Sequence, residues 1–428
     1  MTPTAAETTS RALDAFARLL PADVENRAAR LAALDRLLAA GWPEPRGENW
    51  RYSDLRTLTK AGAAACETVS SEDLALAAAH WQITGAEPLQ IVLLDGRPSN
   101  LAALQLPPGL AINCDDVSRN AAELTGNELA PAWLNDGFAP ITLHIMAEGE
   151  CPPLELLCAT TAPDLARTSY VRVQIDLAPR ARLQIHERHL QTSGESAHSN
   201  VSVELNVAAG ATLTHWRDFI LDGKLSVVDS VLASVDSAGC LEQLLAVAGG
   251  ESSRHGLQLR LRGDDACGKV FQAVSAHDRA RHDCYNLFEL SGARTRVEHM
   301  CRAIAADGGS AACNSHVRAT ELARGAVSAQ SLRGLLLASS AQIALRPQLQ
   351  INTDEIRANH GATTGRLDEQ MLFYLLSRGL DAQTATGLLK WTFIADALAL
   401  APRGGLREDL AKRFADQLAF TLPKGLLQ

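Results

Sequence analysis

Between about residues 88 and 352 the sequence is a succession of short stretches in which every second residue is apolar, separated by Gly, Pro or Asp. Residues 91–94, 141–145, 171–177, 181–185, 201–207 and 257–261 are the clearest. At ordinary strand spacing such a span calls for roughly twenty strands, too many for one sandwich, so a repetitive β architecture is expected. A propeller and a β-helix are the two physical options. The span carries no Trp-Asp blade signature, and aromatic residues make up only 4% of the chain. Small aliphatic side chains must therefore fill the interior, as they do when stacked rungs bury ladders of Val, Leu, Ile and Ala. The expectation is a mainly β protein with a β-helix core.

Helices flank this body. Ala12, Phe16, Leu19 and Leu20 form one apolar stripe, and Ala28, Leu31, Leu34, Leu37 and Leu38 a second that ends at Gly41-Trp42-Pro43. The segment 46–58 is aromatic and polar, with Trp50 and Tyr52 on alternate positions, and reads as packing that attaches the N-terminal helices to the body. Residues 348–352 alternate as a strand. Asn359, His360, Gly361 and the Thr363-Thr364-Gly365 run follow no periodicity and read as a loop whose glycines permit unusual backbone angles. Asp368 then opens a helix that Gly379 ends, Asp381 caps another running to Leu400, Pro402–Gly405 breaks it, and residues 406–420 form a further amphipathic helix. The expected units are a helical domain over 1–85, the β-helix over 86–352 and a helical domain over 353–428.

Acidic residues outnumber basic ones, 49 to 40, giving a net charge of −9, and Lys and Arg form no cluster, which argues against a nucleic-acid partner. The first twenty residues lack the basic start and apolar block of a secretory signal, and the apolar stretch 387–401 is too short and too interrupted by Lys390 and Asp396 for a membrane span. Nine cysteines with no C-x-x-C pair read as reduced thiols. The expected location is cytoplasmic, and the Asn200-Val201-Ser202 sequon is then fortuitous.

Catalytic motifs are missing: no G-x-S-x-G, H-E-x-x-H or nucleotide-binding G-K-[ST] pattern occurs. His186 and His189 flank Glu187, but an i,i+3 pair on a strand points to opposite faces and does not share a metal. His277, His282 and His299 read as solvated or hydrogen-bonded surface groups, and Cys284, Cys301 and Cys313 as buried inert thiols. His360 by itself is a turn histidine with an imidazole suited to ferrous iron near neutral pH.

The run DEIRANHGATTGRLDEQMLFYLLSRGL, residues 354–380, closely resembles the C-terminal signature of the SufD-type scaffold subunits of the SufB/SufD family. Glu48-Asn49-Trp50-Arg51-Tyr52-Ser53-Asp54-Leu55 is similar to that family's N-terminal aromatic box, and Arg346-Pro347-Gln348-Leu349-Gln350-Ile351 to its last core strand. The resemblance is continuous from about residue 284 to 400 and patchier before. It implies a right-handed parallel β-helix between helical domains, and a non-catalytic scaffold for iron–sulfur cluster assembly. It implies as partners a SufB-like subunit and a SufC-like ABC ATPase, with self-pairing as a homodimer when the chain is isolated.

His360 matches the signature histidine, implying a ligand to a transient cluster at the partner interface. Many SufD-like sequences carry a cysteine two residues earlier, where this chain has Ala358. Further ligands then fall to the partner. The ATPase-docking tail of the family maps onto 368–400, where Phe373, Tyr374, Trp391 and Phe393 are candidates to fill a partner's groove. A flavin is associated with the family's complexes, but no G-x-G-x-x-G follows a strand to hold one here. The other readings are a β-helix enzyme acting on polysaccharide, which needs paired carboxylates in a groove, and a SufB-type chain, less consistent with the form of the tail.

Overall fold

The computed structural model describes residues 18–20, 26–41, 43–44, 47–54, 64–65, 89–115, 128, 130–161, 167–192, 195–221, 223–401 and 405–421. Ala12 and Phe16 of the first helical stripe, Trp42, and Pro402–Gly404 within the expected break lie outside them. In chain order the elements are α1 (Arg27–Ala40), β1 (Ala64–Ala65), β2 (Leu89–Leu94), β3 (Arg97–Pro98), β4 (Leu110–Asp115), α2 (Ala130–Phe138), β5 (Thr142–Ala147), β6 (Leu154–Thr160), β7 (Arg167–Leu177), β8 (Arg182–Gln191), β9 (Ala197–Val207) and β10 (Thr212–Leu221). There follow β11 (Leu225–Val235), β12 (Cys240–Gly249), β13 (Ser252–Leu261), β14 (Cys267–Ala276), β15 (Arg281–Leu290), β16 (Arg296–Ala305), β17 (Ser310–Ala319), β18 (Ala326–Leu336), β19 (Gln342–Ile351), β20 (Ile356–Arg366), α3 (Glu369–Ser377), α4 (Ala382–Ile394) and α5 (Gly405–Gln417).

The strands form two ten-stranded sheets. One runs β19-β17-β15-β13-β11-β9-β7-β5-β4 with β1 beside β7, the other β20-β18-β16-β14-β12-β10-β8-β6-β2-β3. Pairing is parallel throughout except for β4 with β5 and β2 with β3. Successive strands alternate between the sheets, so the chain winds as a parallel β-helix. Alternate residues point inward, where Leu, Val, Ile and Ala from both sheets form one continuous core. The long alternating texture of the sequence is this inward ladder.

A repeated corner sets the length of each turn. Arg180, Gly210, Ala238, Asp265, Arg294 and Gly325, spaced 27–31 residues apart, all adopt left-handed backbone angles, with φ between 55° and 71°. Four of the six are not glycine, so the conformation has a cost. A ladder of hydrogen bonds offsets it: Arg180 N donates to Ala209 O at 2.9 Å, Gly210 N to Ser237 O at 2.9 Å, Ala238 N to Asp264 O at 2.8 Å, and so on to Gly325 N and Glu355 O at 2.6 Å.

The reading of 359–365 as a loop is corrected: these residues lie within β20, whose eleven residues pair in register with β18. Gly361 and Gly365 take ordinary extended angles, and a Cβ at either would meet nothing within 4 Å. The segment lacks an apolar face because it is the last strand of its sheet, with little core left to cover. A second difference is α2, a helix inside the region expected to hold only strands. All nine of its residues are buried, packed on α1 and on the outer face of β7, β9 and β11.

The helices cover outer faces of the two sheets. Trp50 is buried, and the Arg254 guanidinium is sandwiched between it (4.2 Å) and Tyr285 (4.7 Å). The same guanidinium donates to Asn49 O at 2.8 Å and to Asp283 at 2.6 Å. The aromatic box therefore packs the N-terminal segment onto the odd-numbered sheet, as its composition suggested. The caps also follow the sequence: Asp368 accepts from Gln370 N and Met371 N, Gly379 has φ 91°, and Asp381 accepts from Thr384 N. α4 stops at Ile394, and a short 3-10 turn over Ala397–Leu400 completes the stretch expected as one helix.

On the even-numbered sheet, Trp216, Ile220, Leu244, Ala246, Phe271 and Ile304 meet Trp391, Ile394, Leu398, Leu410 and Phe414 from the tail. A buried ion network pins this contact. Asp218 on β10 is fully buried beside Arg188 at 3.3 Å and pairs with Arg413 of α5, while Arg188 also pairs with Asp409. Burial alone would raise the Asp218 carboxyl, but Arg413, His186 and Arg188 hold it well below the usual carboxylate range.

Candidate functional site

The two ends of the β-helix differ. At the N-terminal end the antiparallel strands β3 and β4 finish the sheets, whereas the C-terminal end stops at β19 and β20, each paired on one side only among the described residues. Exposure rises accordingly. Every residue of β20 from Asn359 to Arg366 is exposed, and the strand presents a row of backbone donors and acceptors along its free edge. Beside it α3 buries none of its residues, and Met371 (47%), Phe373 (72%), Tyr374 (51%) and Leu376 (39%) stand open to solvent together with Ile351 (39%) of β19.

His360 lies in the middle of this edge. It is exposed and in register with Gln330 of β18, so the two share the inward-facing side of the sheet. Beneath Gln330 the interior turns polar. Gln330 Nε2 donates to Ser315 Oγ at 2.8 Å, which lies 2.7 Å from His299 Nδ1. His299 Nε2 lies 3.2 Å from Gln272 Oε1, and Gln272 Nε2 donates to Asn286 Oδ1 at 2.9 Å. An acceptor on the Gln272 side assigns the proton to Nε2, leaving Nδ1 to accept from the serine. His299 is therefore neutral, in keeping with a pKa that burial pushes down to about 3.

Farther in, Glu187 takes both Nε and Nη2 of Arg217, at 3.1 and 2.6 Å, and Arg217 Nη1 reaches Asp229 at 2.6 Å. His189 and His215 lie 2.6 and 2.8 Å from Glu187, and His255 3.1 Å from Asp229. Burial alone would raise the Glu187 carboxyl. Arg217 and the two imidazoles outweigh it and hold the carboxyl well below its ordinary value. This interior group was not anticipated, because it is assembled by stacking strands whose register no local motif reveals.

The other sequence candidates divide. His189 faces the interior and His186 the outer face beside Asp218 and Trp216, as the i,i+3 argument required. His282 and His299 are not surface groups: both are about 1–2% exposed and hydrogen-bonded, His282 to Ser253 at 2.9 Å. Only His277 of that set is partly open, between Asp278 and Gln417. Cys284, Cys301 and Cys313 are buried in the interior, and burial pushes the Cys284 and Cys313 thiols up. Of the four candidate partner-binding aromatics, Phe373 and Tyr374 are exposed. Trp391 is 5% exposed and packs the tail against the sheet, with Phe393 half-buried beside the same cluster, so that pair is occupied within the chain.

Among the described residues no group of three or more His, Cys, Asp or Glu side chains is placed to hold a metal ion. His360 is thus a single exposed imidazole on an open strand edge, with Ala358 offering no thiol beside it.

A family model described as SUF system FeS cluster assembly, SufBD core domain, matches residues 159–393, more than half of the 428 residues. The chain belongs to the SufBD core family. Its matched region spans β7 to β20 together with α3 and all but the last residue of α4. The iron–sulfur cluster assembly protein SufD of Escherichia coli (strain K12) is 25% identical over 422 residues, 96% of this chain and 97% of that protein. A SufBD family protein of Synechocystis, slr0076, is 24% identical over 403 residues, 88% of each chain. SufD of Bacillus subtilis (strain 168) is 35% identical, over 81 residues, or 19% of this chain and 18% of that one. SufBD membership assigns the protein to iron–sulfur cluster assembly. Among the described residues no helix is long and apolar enough to cross a membrane.

Proposed function

We propose that this chain is a non-catalytic scaffold subunit that pairs, through the open β19–β20 end of its β-helix, with a SufB-like chain, and that it binds a SufC-like ABC ATPase through its C-terminal helices. The observation that carries the reading is the exposed edge strand β20, which carries His360 and a row of free backbone groups and is followed in the chain by α3 with its exposed apolar side chains. A partner strand added there buries the edge and brings its own side chains next to the imidazole. The nascent iron–sulfur cluster is cargo at that junction: His360 supplies one ligand and the partner supplies the thiolates or carboxylates that this edge lacks. In the absence of the partner, two copies cover each other's edges as a homodimer.

Phe373 and Tyr374 are the tail residues that meet a partner. The free thiols at the eight described cysteines favour a reducing compartment, the cytoplasm.

The test is anaerobic co-purification of the chain with SufB-like and SufC-like proteins, comparing wild type with His360→Ala for bound iron and sulfide. Complex formation with both chains, and cluster content that falls with His360→Ala while the complex survives, is the expected result. Failure to form a complex with either protein contradicts the scaffold reading.

A further inference from the structure

Two cysteines meet on the outside of the even-numbered sheet. Cys240 opens β12 and Cys267 opens β14, the strands are parallel neighbours, and the two residues are in register. Each follows a left-handed corner, Ala238 and Asp265, and each is half-exposed. The tail helices do not cover them: farther along the same strands Leu244, Ala246 and Ala248 of β12, and Phe271 and Ala273 of β14, are buried beneath α4 and α5 or the turn after α4. The remaining described cysteines are arranged otherwise. Cys158, Cys284, Cys301 and Cys313 line the interior, Cys151 is buried with its thiol on Gly109 O and Glu148 O, and Cys114 is an exposed single thiol.

Geometry decides what such a pair can hold. In-register side chains on neighbouring strands are set apart by the strand spacing of about 4.8 Å. A disulfide needs its Cβ atoms only ~3.8 Å apart, so closing one pulls two rungs together. Two metal–sulfur bonds of ~2.3 Å placed end to end set the sulfurs about 4.6 Å apart, close to the strand spacing, so an ion between the thiolates does not draw the rungs together. A zinc ion requires four ligands, and no third His, Cys, Asp or Glu stands with these two among the described residues. The acidic neighbour Glu242 is engaged by Lys269 at 2.7 Å.

Charge also fits a monovalent ion. A cation of charge +1 between two thiolates leaves one net negative charge. Lys269 and Glu242 balance each other, and Arg296, the register neighbour of Cys267 on β16, offsets it.

We propose that Cys240 and Cys267 form a two-coordinate site for a soft monovalent cation of the cuprous type, held between neighbouring rungs on the outer face of the β-helix. Binding forms two metal–sulfur bonds and releases two protons to solvent, with no change of oxidation state. The site is separate from the β19–β20 edge, and it stands or falls independently of the scaffold reading.

The test is anaerobic titration of the fully reduced, full-length chain against the coloured cuprous bicinchoninate complex, following transfer of the ion by loss of colour. Wild type and Cys114→Ser are expected to withdraw one equivalent more than Cys240→Ser/Cys267→Ser. Cys240→Ser and Cys267→Ser alone are each expected to weaken that uptake at least tenfold, and sulfur-edge absorption of the loaded protein is expected to show two sulfur ligands. Circular dichroism of each variant establishes that the fold is kept. Uptake by either single variant equal to that of wild type overturns the proposal. So does an ion bound by wild type with three or more ligands.

Discussion

Replacing Asp218 by Asn removes the carboxylate that joins the C-terminal helices to the β-helix. Asp218 is fully buried on β10 and lies against Arg188, His186 and Arg413, the last contributed by α5. Taking away one partner of a buried pair costs about 3–5 kcal/mol because the opposite charge stays desolvated. Asp409, partly exposed, still pairs with Arg188, which points to the lower end, about 3 kcal/mol. The loss belongs to the tail rather than to the barrel of strands, since the interior core is a separate cluster from the one beneath α4 and α5. Amide exchange of residues 405–417 at pH 7 is therefore predicted to accelerate roughly 100-fold in Asp218→Asn, at 1.4 kcal/mol per factor of ten, with the amides of β11–β15 changing far less. Folding lowers this carboxyl, so its contribution is complete above the unfolded pKa of about 4 and is lost as pH falls through the folded value. The difference between variant and wild type should shrink in acid accordingly. An acceleration of less than about fivefold, or an equal one in β11–β15, would refute the assignment of Asp218 as the tail's buried anchor.

Four further outcomes follow from the same structure. His282 and His299 are held neutral with pKa values of about 3, below the unfolded value of about 6.5, so the unfolded chain gains protons first as pH drops. Each should cost about 2 kcal/mol of stability between pH 7 and pH 5, and His299→Gln should reduce the pH slope of urea stability by about one proton near pH 5. Phe373→Ala and Tyr374→Ala, at 72% and 51% exposed side chains, should leave the isolated chain within about 0.5 kcal/mol of wild type while weakening partner association in a pull-down. Trp391→Ala should cost about 3–5 kcal/mol in denaturant titration. Gly249→Ala places a Cβ 1.9 Å from Leu221 O at φ 69°, and should lower the melting temperature by several degrees.

The strands of the body were legible because their inward residues are apolar along nearly every turn, and the caps at Asp368 and Asp381 because capping is a local interaction. Residues 359–365 were read wrongly for the converse reason. A terminal rung has no neighbour beyond it, and its inward positions hold Ala358, His360 and Ala362 against Ser328, Gln330 and Leu332 of β18, so no apolar period of two appears. The polar interior was illegible in one dimension, since Glu187, Arg217 and Asp229 meet only when three strands from both sheets are stacked. Trp391 and Phe373 look alike in a helix-period count. Only the packing of α4 against the sheet, and the lack of such a cover over α3, separates an aromatic that holds the tail from one left for a partner.

The central claim is that the β19–β20 end is where a second scaffold chain docks. Amide exchange of residues 356–366, measured with and without a SufB-like protein under anaerobic conditions, tests it most directly. The account predicts strong protection of β20 on mixing, with the strands at the other end of the β-helix unchanged. Formation of a stable complex in which β20 exchanges as fast as in the isolated chain would contradict it.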